Sequence, residues 1–376
     1  MASSDESRRR FLKGAACACC GATLAGCLSG NGDENDGNGN GDGNGNDSSQ
    51  GDYPEFDPLD PEFPQLTSTL MEHSFETGAL EELENFEERD EPVYGSPPRE
   101  TPDDESEWID PDTLDFAMVP TEDPTVFEGV LDPLLENIAE ETGKEVVNNP
   151  LQSYAAQIET MRNERLHVAG FSTGSTPFAV NNSGAVPFSI QVGEEEFGYR
   201  LWVITQADND EIYELEDMAG KSVAHTSQSS NSGHLAPNAL FTDAGVVPGE
   251  DYEIEFSGSH ENSAAGIYHG DYDVAPICST CYARVAERGD VDASEVKCIW
   301  ASAPFPTTSF CYRYNLHPDI QEGIKRAFLE YDYQDTEIAE EFEGRGTWVE
   351  IDYATHYHDI LVNHQVNGVD YEEDEV

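Results

Sequence analysis

The chain has 376 residues, of which 77 are Asp or Glu and only 18 are Lys or Arg, a formal net charge of -59. So negative a balance excludes a nucleic-acid binder, which must neutralise a run of phosphates, and it excludes docking on an anionic membrane surface. The acids are spread along the chain, and 37% hydrophobic with 10% aromatic content is enough for a core. At molar salt the Debye length falls to about 3 Å and the self-repulsion is screened. This is the composition of a salt-adapted, haloarchaeal protein. Periodic apolar segments beyond residue 112 set it apart from a disordered acidic chain.

The first 26 residues read as an export signal. Ser7-Arg8-Arg9-Arg10-Phe11-Leu12-Lys13 fits the twin-arginine consensus S/T-R-R-x-F-L-K at every position. The apolar stretch from Gly14 to Gly26 is too short to span a bilayer. It ends in Leu24-Ala25-Gly26-Cys27, which resembles the lipobox of secreted lipoproteins, where the cysteine becomes the lipid-modified first residue. Removal of residues 1–26 leaves 14 basic against 75 acidic side chains. Residues 27–52 then form the lipidated Cys27 and a Gly/Asn/Asp tether, flexible and self-repelling, with a reach of tens of ångströms. Residues 53–112 are an acidic, Pro-rich arm with one predicted helix, Leu66–Glu88. Its composition fits either packing on the body or disorder.

From Leu114 the chain alternates strands and helices. Strands are predicted at Leu114–Val119, Leu166–Ala169, Leu201–Gln206, from Val223, and at Tyr252–Phe256, Asp273–Ile277 and Cys298–Trp300. Helices are predicted at Thr125–Thr142, with apolar residues at 126, 127, 130, 131, 134, 135 and 138, at Leu151–Arg162 and at Gly233–Ala244, with a short helical turn over Leu215–Lys221. The rhythm predicts parallel strands covered by helices. No period of 20–50 residues recurs, which excludes a solenoid.

Three predicted turns are rich in small hydroxyl residues: Ser172-Thr173-Gly174-Ser175-Thr176, Ser229-Ser230-Asn231-Ser232-Gly233 and Gly258-Ser259-His260-Glu261-Asn262-Ser263. In α/β proteins such strand-to-helix turns carry ligands. Hydroxyls and free N–H groups at a helix start form a receptor for a tetrahedral oxyanion. One such turn is an ordinary helix cap; three in one chain favour a shared anion site. The local dipoles act within the first turn, whereas distant carboxylates are screened in brine.

The order of several segments resembles the phosphate/phosphite/phosphonate-binding proteins of ABC importers. They are Val119-Pro120-Thr121-Glu122-Asp123-Pro124, Asp132-Pro133-Leu134-Leu135, Thr142-Gly143-Lys144, the helix Ser153 to Arg162, Gly198-Tyr199-Arg200-Leu201-Trp202-Val203, Leu215 to Lys221, Ser230-Asn231-Ser232-Gly233 with Pro237, Gly258-Ser259-His260-Glu261, and Gly270 to Ala275. The resemblance spans about residues 114–330. It implies a two-lobed α/β fold of the type II periplasmic-binding-protein class, each lobe a mixed sheet flanked by helices and joined by crossover hinge strands. Residues 113–205 and 304–376 would form lobe one and 206–303 lobe two. It further implies that Tyr154 and Tyr199 face the ligand, that Ser230, Asn231 and Ser232 hold the phosphorus-bound oxygens, and that His260 completes the cage. Ser175 and Thr176 join the expected site from the first hydroxyl-rich turn. Where aminophosphonate-binding relatives carry acidic residues this chain has Thr280 and Thr308, and the family's Ser-Thr-Ser turn is Ser-Asn-Ser here. The implied partners are a small phosphorus oxyanion, an ABC permease and its ATPase, with affinity from lobe closure and hydrogen bonds rather than cationic side chains. The chain is expected to be a monomer that touches the membrane through its lipid alone. Phosphate, phosphite and alkylphosphonates remain open as ligands. A ligand sensor without transport, or a binder of another oxyanion such as a sulfonate, is the alternative.

Four cysteines, Cys278, Cys281, Cys298 and Cys311, remain in the mature body beyond Cys27, an even number in an exported protein. Two disulfides are expected, with three possible pairings; a four-thiolate zinc site is the alternative. His356, His358 and His364 read as surface histidines. With so many acids a Ser-His-acid triad can be drawn anywhere, so no enzyme, metal or cofactor is expected.

The register of Arg8-Arg9 with Cys27 makes anchoring testable by fractionation. Cys27→Ala should move the protein from membranes to the medium, and replacing Arg8 and Arg9 by Lys should leave precursor in the cytoplasm. Retention of the Cys27 variant on membranes would contradict the lipobox reading.

Overall fold

In the computed structural model the described residues are 53–376, apart from 59, 74–77, 122–126, 128, 194–195, 343–344 and 373–376. The export signal, Cys27 and the tether lie outside them. In chain order the elements are β1 (Gln65–Leu66), α1 (Thr67–Glu72), β2 (Gly78–Ala79), β3 (Thr113–Ala117), α2 (Asp132–Thr142), β4 (Glu145–Asn148), α3 (Tyr154–Arg162), β5 (Val168–Phe171), α4 (Ser175–Ser183), β6 (Ala185–Val192), β7 (Glu196–Phe197) and β8 (Leu201–Gln206). There follow β9 (Ser222–His225), α5 (Ala236–Asp243), β10 (Glu253–Phe256), α6 (His260–His269), β11 (Ala275–Cys278), α7 (Ser279–Glu287), β12 (Val296–Ala301), β13 (Ser309–Arg313), α8 (Pro318–Leu329), α9 (Glu337–Glu341), β14 (Thr347–Glu350), α10 (Tyr353–His356) and α11 (His358–Val366).

The strands make two α/β lobes with mixed sheets, as the resemblance implied. The larger sheet runs β14-β6-β13-β5-β3-β4. Only β3 with β4 and β3 with β5 are parallel; β13 and β14 insert antiparallel. The smaller runs β1-β12-β8-β11, antiparallel throughout. The parallel pair β9–β10 joins it through a bridge between Val223 and Val274. The purely parallel expectation fails wherever a strand is reached through the inter-lobe crossings rather than through a covering helix, because only a helical crossover returns the chain in the same direction.

The chain crosses between sheets at 193–200 and again at 302–308. The two crossings pair with each other: Tyr199 N donates to Phe305 O at 2.9 Å and Phe305 N to Tyr199 O at 2.7 Å. A Cβ at Gly198 would lie 2.3 Å from the Phe305 carbonyl, and its φ is +80°, so glycine is required at this hinge. The boundary expected between 205 and 206 falls at the last residue of β8, yet all of β8 pairs in the smaller sheet. The C-terminal segment, assigned to lobe one from sequence, touches both lobes. Ile360 and Leu361 share a core cluster with Phe241 of α5, while His364 stacks near Phe178 of α4.

The arm at 53–112 packs on the body. β1 extends the smaller sheet, Leu70 is fully buried in its core, and Thr67 Oγ1 lies 2.8 Å from Tyr282 Oη. Further along, Tyr94 Oη donates to Val369 O at 2.6 Å and Ile109 N to Asn315 O at 2.8 Å. The long helix predicted there is instead α1 followed by a 3₁₀ turn at Leu80–Asn85. Of the helix predicted over Thr125–Thr142, α2 covers Asp132–Thr142, with Pro133 in its first turn, while residues 125, 126 and 128 lie outside the described residues. Phe127 and Leu131 still reach the larger lobe's core, with Leu114, Phe116, Ile138, Phe310 and Phe328.

Two expectations about side chains are corrected. One disulfide forms, Cys278–Cys281, within the first turn of α7, where the Cα atoms are 5.2 Å apart. Cys298 and Cys311 are buried free thiols in different sheets, which precludes both a second disulfide and a four-thiolate zinc site. Burial pushes each thiol up to about 12. His364 is fully buried rather than on the surface, 3.1 Å from Tyr371 Oη, and burial holds it down to about 4. Alkylation of the denatured, unreduced mature protein followed by intact-mass measurement should add two labels, one each at Cys298 and Cys311. Four labels, or none, would contradict this pairing.

Candidate functional site

A cavity of about 70 Å³ lies between the lobes. Eight of the ten side chains expected at the ligand line it: Tyr154, Tyr199, Ser230, Asn231, Ser232, His260, Thr280 and Thr308. Ser175 and Thr176 do not. They are fully buried, and their hydroxyls close their own helical turn: Ser172 Oγ donates to Ser175 Oγ at 2.8 Å and Thr176 Oγ1 to Ser172 O at 2.9 Å. From that turn it is Ser172 and Thr173 that reach the cavity.

The second-lobe wall is a turn shaped by proline chemistry. Ser230 caps it, its Oγ accepting from Gly233 N at 3.2 Å, and Asn231–Leu235 form one wide π-helical turn leading into α5. Pro237 has no N–H to give the Gly233 carbonyl, which takes the Thr226 N–H at 3.2 Å instead. The turn is thereby tied back to the loop after β9.

Hydrogen bonds fix the direction of each donor. Cys278 N donates to His260 Nδ1 at 3.3 Å, so the neutral imidazole carries its proton on Nε2, which sits 3.3 Å from Ser230 Oγ. Asn363 Nδ2 on α11 donates to Asn231 Oδ1 at 3.2 Å, and Asn231 Nδ2 donates to Tyr199 Oη at 3.1 Å. Tyr199 is left with its own O–H to give. Burial raises the phenols of both Tyr154 and Tyr199, which stay protonated as neutral donors. Asn231 thus links its turn to the hinge tyrosine and to the C-terminal helix.

Sequence reasoning missed Arg284 and Arg345, which both line the cavity. Affinity was expected from lobe closure and hydrogen bonds rather than cationic side chains; two guanidinium groups nonetheless belong to the wall. Arg284 follows Thr280 by one helical turn on α7, and that spacing was the available signal. Arg345 comes from the segment before β14, and its Nη2 donates to Gly198 O at 3.3 Å. No pattern in the sequence marks it. The disulfide Cys278–Cys281 forms another part of the wall. Among the described residues no group of three or more His, Cys, Asp or Glu is placed to hold a metal ion.

A cavity lined with hydroxyl, amide, imidazole and guanidinium donors where two hinged α/β lobes meet defines a solute-binding protein. Residues 116–357 match the family model described as "ABC transporter, phosphonate, periplasmic substrate-binding protein", and the chain belongs to this family, whose members bind and do not catalyse. It is 29% identical over 235 residues, 58% of this chain and 72% of the relative, to the phosphate-import protein PhnD of Mycolicibacterium smegmatis. It is 23% identical over 223 residues, 58% of this chain and 66% of the relative, to the phosphonates-binding periplasmic protein of Escherichia coli. Among solved structures it resembles a binding protein component of an ABC phosphonate transporter from Pseudomonas aeruginosa (TM-score 0.59, 22% identity, 69% of this chain and 86% of that one). It is equally similar to a Prochlorococcus marinus protein solved with methylphosphonate (TM-score 0.59, 17% identity, 69% and 100%).

The lobes meet main chain to main chain at Gly174. A Cβ there would lie 2.2 Å from Ser229 O and 2.5 Å from Asn231 N, although its φ of -75° suits any residue. Gly174→Ala should hold the lobes apart without touching a ligand-facing side chain, weakening anion binding at least about tenfold, or about 1.4 kcal/mol. Calorimetry on the variant checks this; unchanged affinity would show that closure does not depend on the contact.

Proposed function

We propose that this chain captures a small, amine-free phosphorus oxyanion (phosphate, phosphite or methylphosphonate) and delivers it to an ABC permease and its ATPase. The lipid on Cys27, after twin-arginine export, would hold it at the outer face of a salt-adapted cell. Among the described residues no helix is long and apolar enough to cross a membrane.

The observation that carries the ligand assignment is the composition of the wall: convergent hydroxyl, amide and imidazole donors with two guanidinium groups, and no Asp or Glu among the described residues that line it. Ser230, Ser232, His260, Tyr154 and Tyr199 would share the phosphorus-bound oxygens. The helix start after Ser230 adds N–H groups that lack intrahelical partners. The volume of about 70 Å³ suits one small tetrahedral anion. The names of the relatives agree in kind: one imports phosphate, one binds phosphonates, and one was solved with methylphosphonate. Thr280 and Thr308 line the wall, and the resemblance implies that relatives holding a ligand ammonium carry acidic residues at these positions. An unpaired buried charge costs several kcal/mol.

Calorimetric titration in multimolar KCl tests this. Methylphosphonate should bind at least about tenfold tighter than 2-aminoethylphosphonate, about 1.4 kcal/mol. Ser232→Ala and His260→Ala should each weaken the preferred anion by about 1–3 kcal/mol. Tighter binding of 2-aminoethylphosphonate would contradict the amine-free assignment.

A further inference from the structure

We propose that the Cys278–Cys281 pair is a redox-modifiable part of the ligand wall: the disulfide form of the protein binds its oxyanion and the dithiol form lets it go. The inference rests on the oxyanion reading above, which supplies the probe.

The pair belongs to the site itself. Both cysteines line the cavity, each 6% exposed, and Thr280 between them lines it too. Cys278 ends β11 and caps α7, its Sγ accepting from Cys281 N at 3.2 Å and lying 3.3 Å from Thr280 Oγ1. Its own N–H donates to His260 Nδ1 at 3.3 Å and so keeps the imidazole proton on Nε2, beside Ser230 Oγ. The S–S bond therefore fixes a turn that orients one ligand-facing donor and carries another. Cys298 and Cys311 are free thiols in different sheets, so a change of redox state falls on this pair.

Reduction alters the wall in two ways. A dithiol gives two electrons to the S–S bond and two protons to its sulfurs, closing its own disulfide and leaving thiols on Cys278 and Cys281. Sulfurs no longer bonded move apart to van der Waals separation, and a cavity of about 70 Å³ has little room for them. A C-x-x-C cysteine at a helix N-terminus also gives up its proton readily, and the Cys281 N–H already points at Cys278 Sγ. A thiolate there sets a negative charge against the bound anion. Both effects act in the same direction. On the export reading above, a precursor in the reducing cytoplasm would not load phosphate, and the oxidising exterior would arm the site. Linkage runs both ways: a ligand that prefers the disulfide protects it from reduction by the same factor.

Methylphosphonate, titrated calorimetrically into the intact mature chain in multimolar KCl, is the probe. The disulfide form should bind at least about tenfold tighter than the form reduced with dithiothreitol, and oxidised glutathione should restore the affinity. Saturating methylphosphonate should lower the midpoint potential of the pair by at least about 30 mV, the same tenfold, read by alkylation and intact mass in thiol–disulfide buffers. Cys278→Ser combined with Cys281→Ser should bind equally with and without dithiothreitol. If that variant does not fold, the reversible cycle of the unaltered chain, its folding followed by circular dichroism, carries the test. Affinities within about threefold in the two states, a potential unmoved by ligand, or a serine variant that still responds to dithiothreitol would overturn the redox control and leave the oxyanion reading standing. Binding of neither methylphosphonate nor phosphate by the disulfide form would overturn both.

Discussion

The contact between Gly174 and the Ser229–Asn231 backbone is the constraint on which the site depends. Here the first lobe's loop and the second lobe's ligand turn touch with no side chain between them. Closure at this point encloses Tyr154, Thr173 and Tyr199 with Ser230, Ser232 and His260 around one cavity. The hinge makes the approach reproducible. Two hydrogen bonds join Tyr199 and Phe305 in the crossings, and Gly198 lets the strands come that close. Because Tyr199 also faces the cavity and accepts from Asn231, the hinge, the ligand turn and the α11 residue Asn363 form one connected set. A ligand that binds more tightly to the closed arrangement than to the open one shifts the population by that difference.

Charge is divided between surface and site. The acids are solvated, and the few lysines and arginines on the surface make short ion pairs such as Lys144–Asp110 and Lys221–Glu211, both 2.6 Å. Exposed pairs of this kind contribute about 0–1 kcal/mol and less at high salt. Inside, the same screening does not reach, so oriented N–H, hydroxyl and guanidinium groups dominate over more numerous but distant carboxylates. That is how a chain with a charge of -59 can present an anion site.

Much of this was legible in the sequence because it depends on local rules. Leu201–Gln206 was read as a strand to the residue, and the hydroxyl-rich turns at 172–176, 229–233 and 258–263 each supply a cavity residue. What was missed depends on long-range geometry. Strand β13 enters the larger sheet antiparallel, between β5 and β6, through the second inter-lobe crossing, which periodicity does not reveal, and β14 then pairs antiparallel with β6. The arm at 53–112 gains its order from single anchors, Leu70 and Thr67 in the smaller lobe and Tyr94 near the C-terminus, set in a polar segment. Ser175 and Thr176 sit in the right turn but on its inner side, a one-residue matter of rotation. Parity alone put Cys298 and Cys311 in disulfides, and only the sheets show that they belong to different lobes. Arg345 reaches the cavity from a part of the chain nearly 200 residues from Tyr154, which lines the same cavity.

The central claim is that the closed cavity holds a small phosphorus oxyanion. The most direct measurement is mass spectrometry of the small molecule released when protein purified in multimolar KCl is denatured. A phosphorus-containing oxyanion without an amine, in amounts equal to the protein, is the expected result. A stoichiometric ligand without phosphorus, such as an amino acid, a sugar or a sulfonate, would contradict the account.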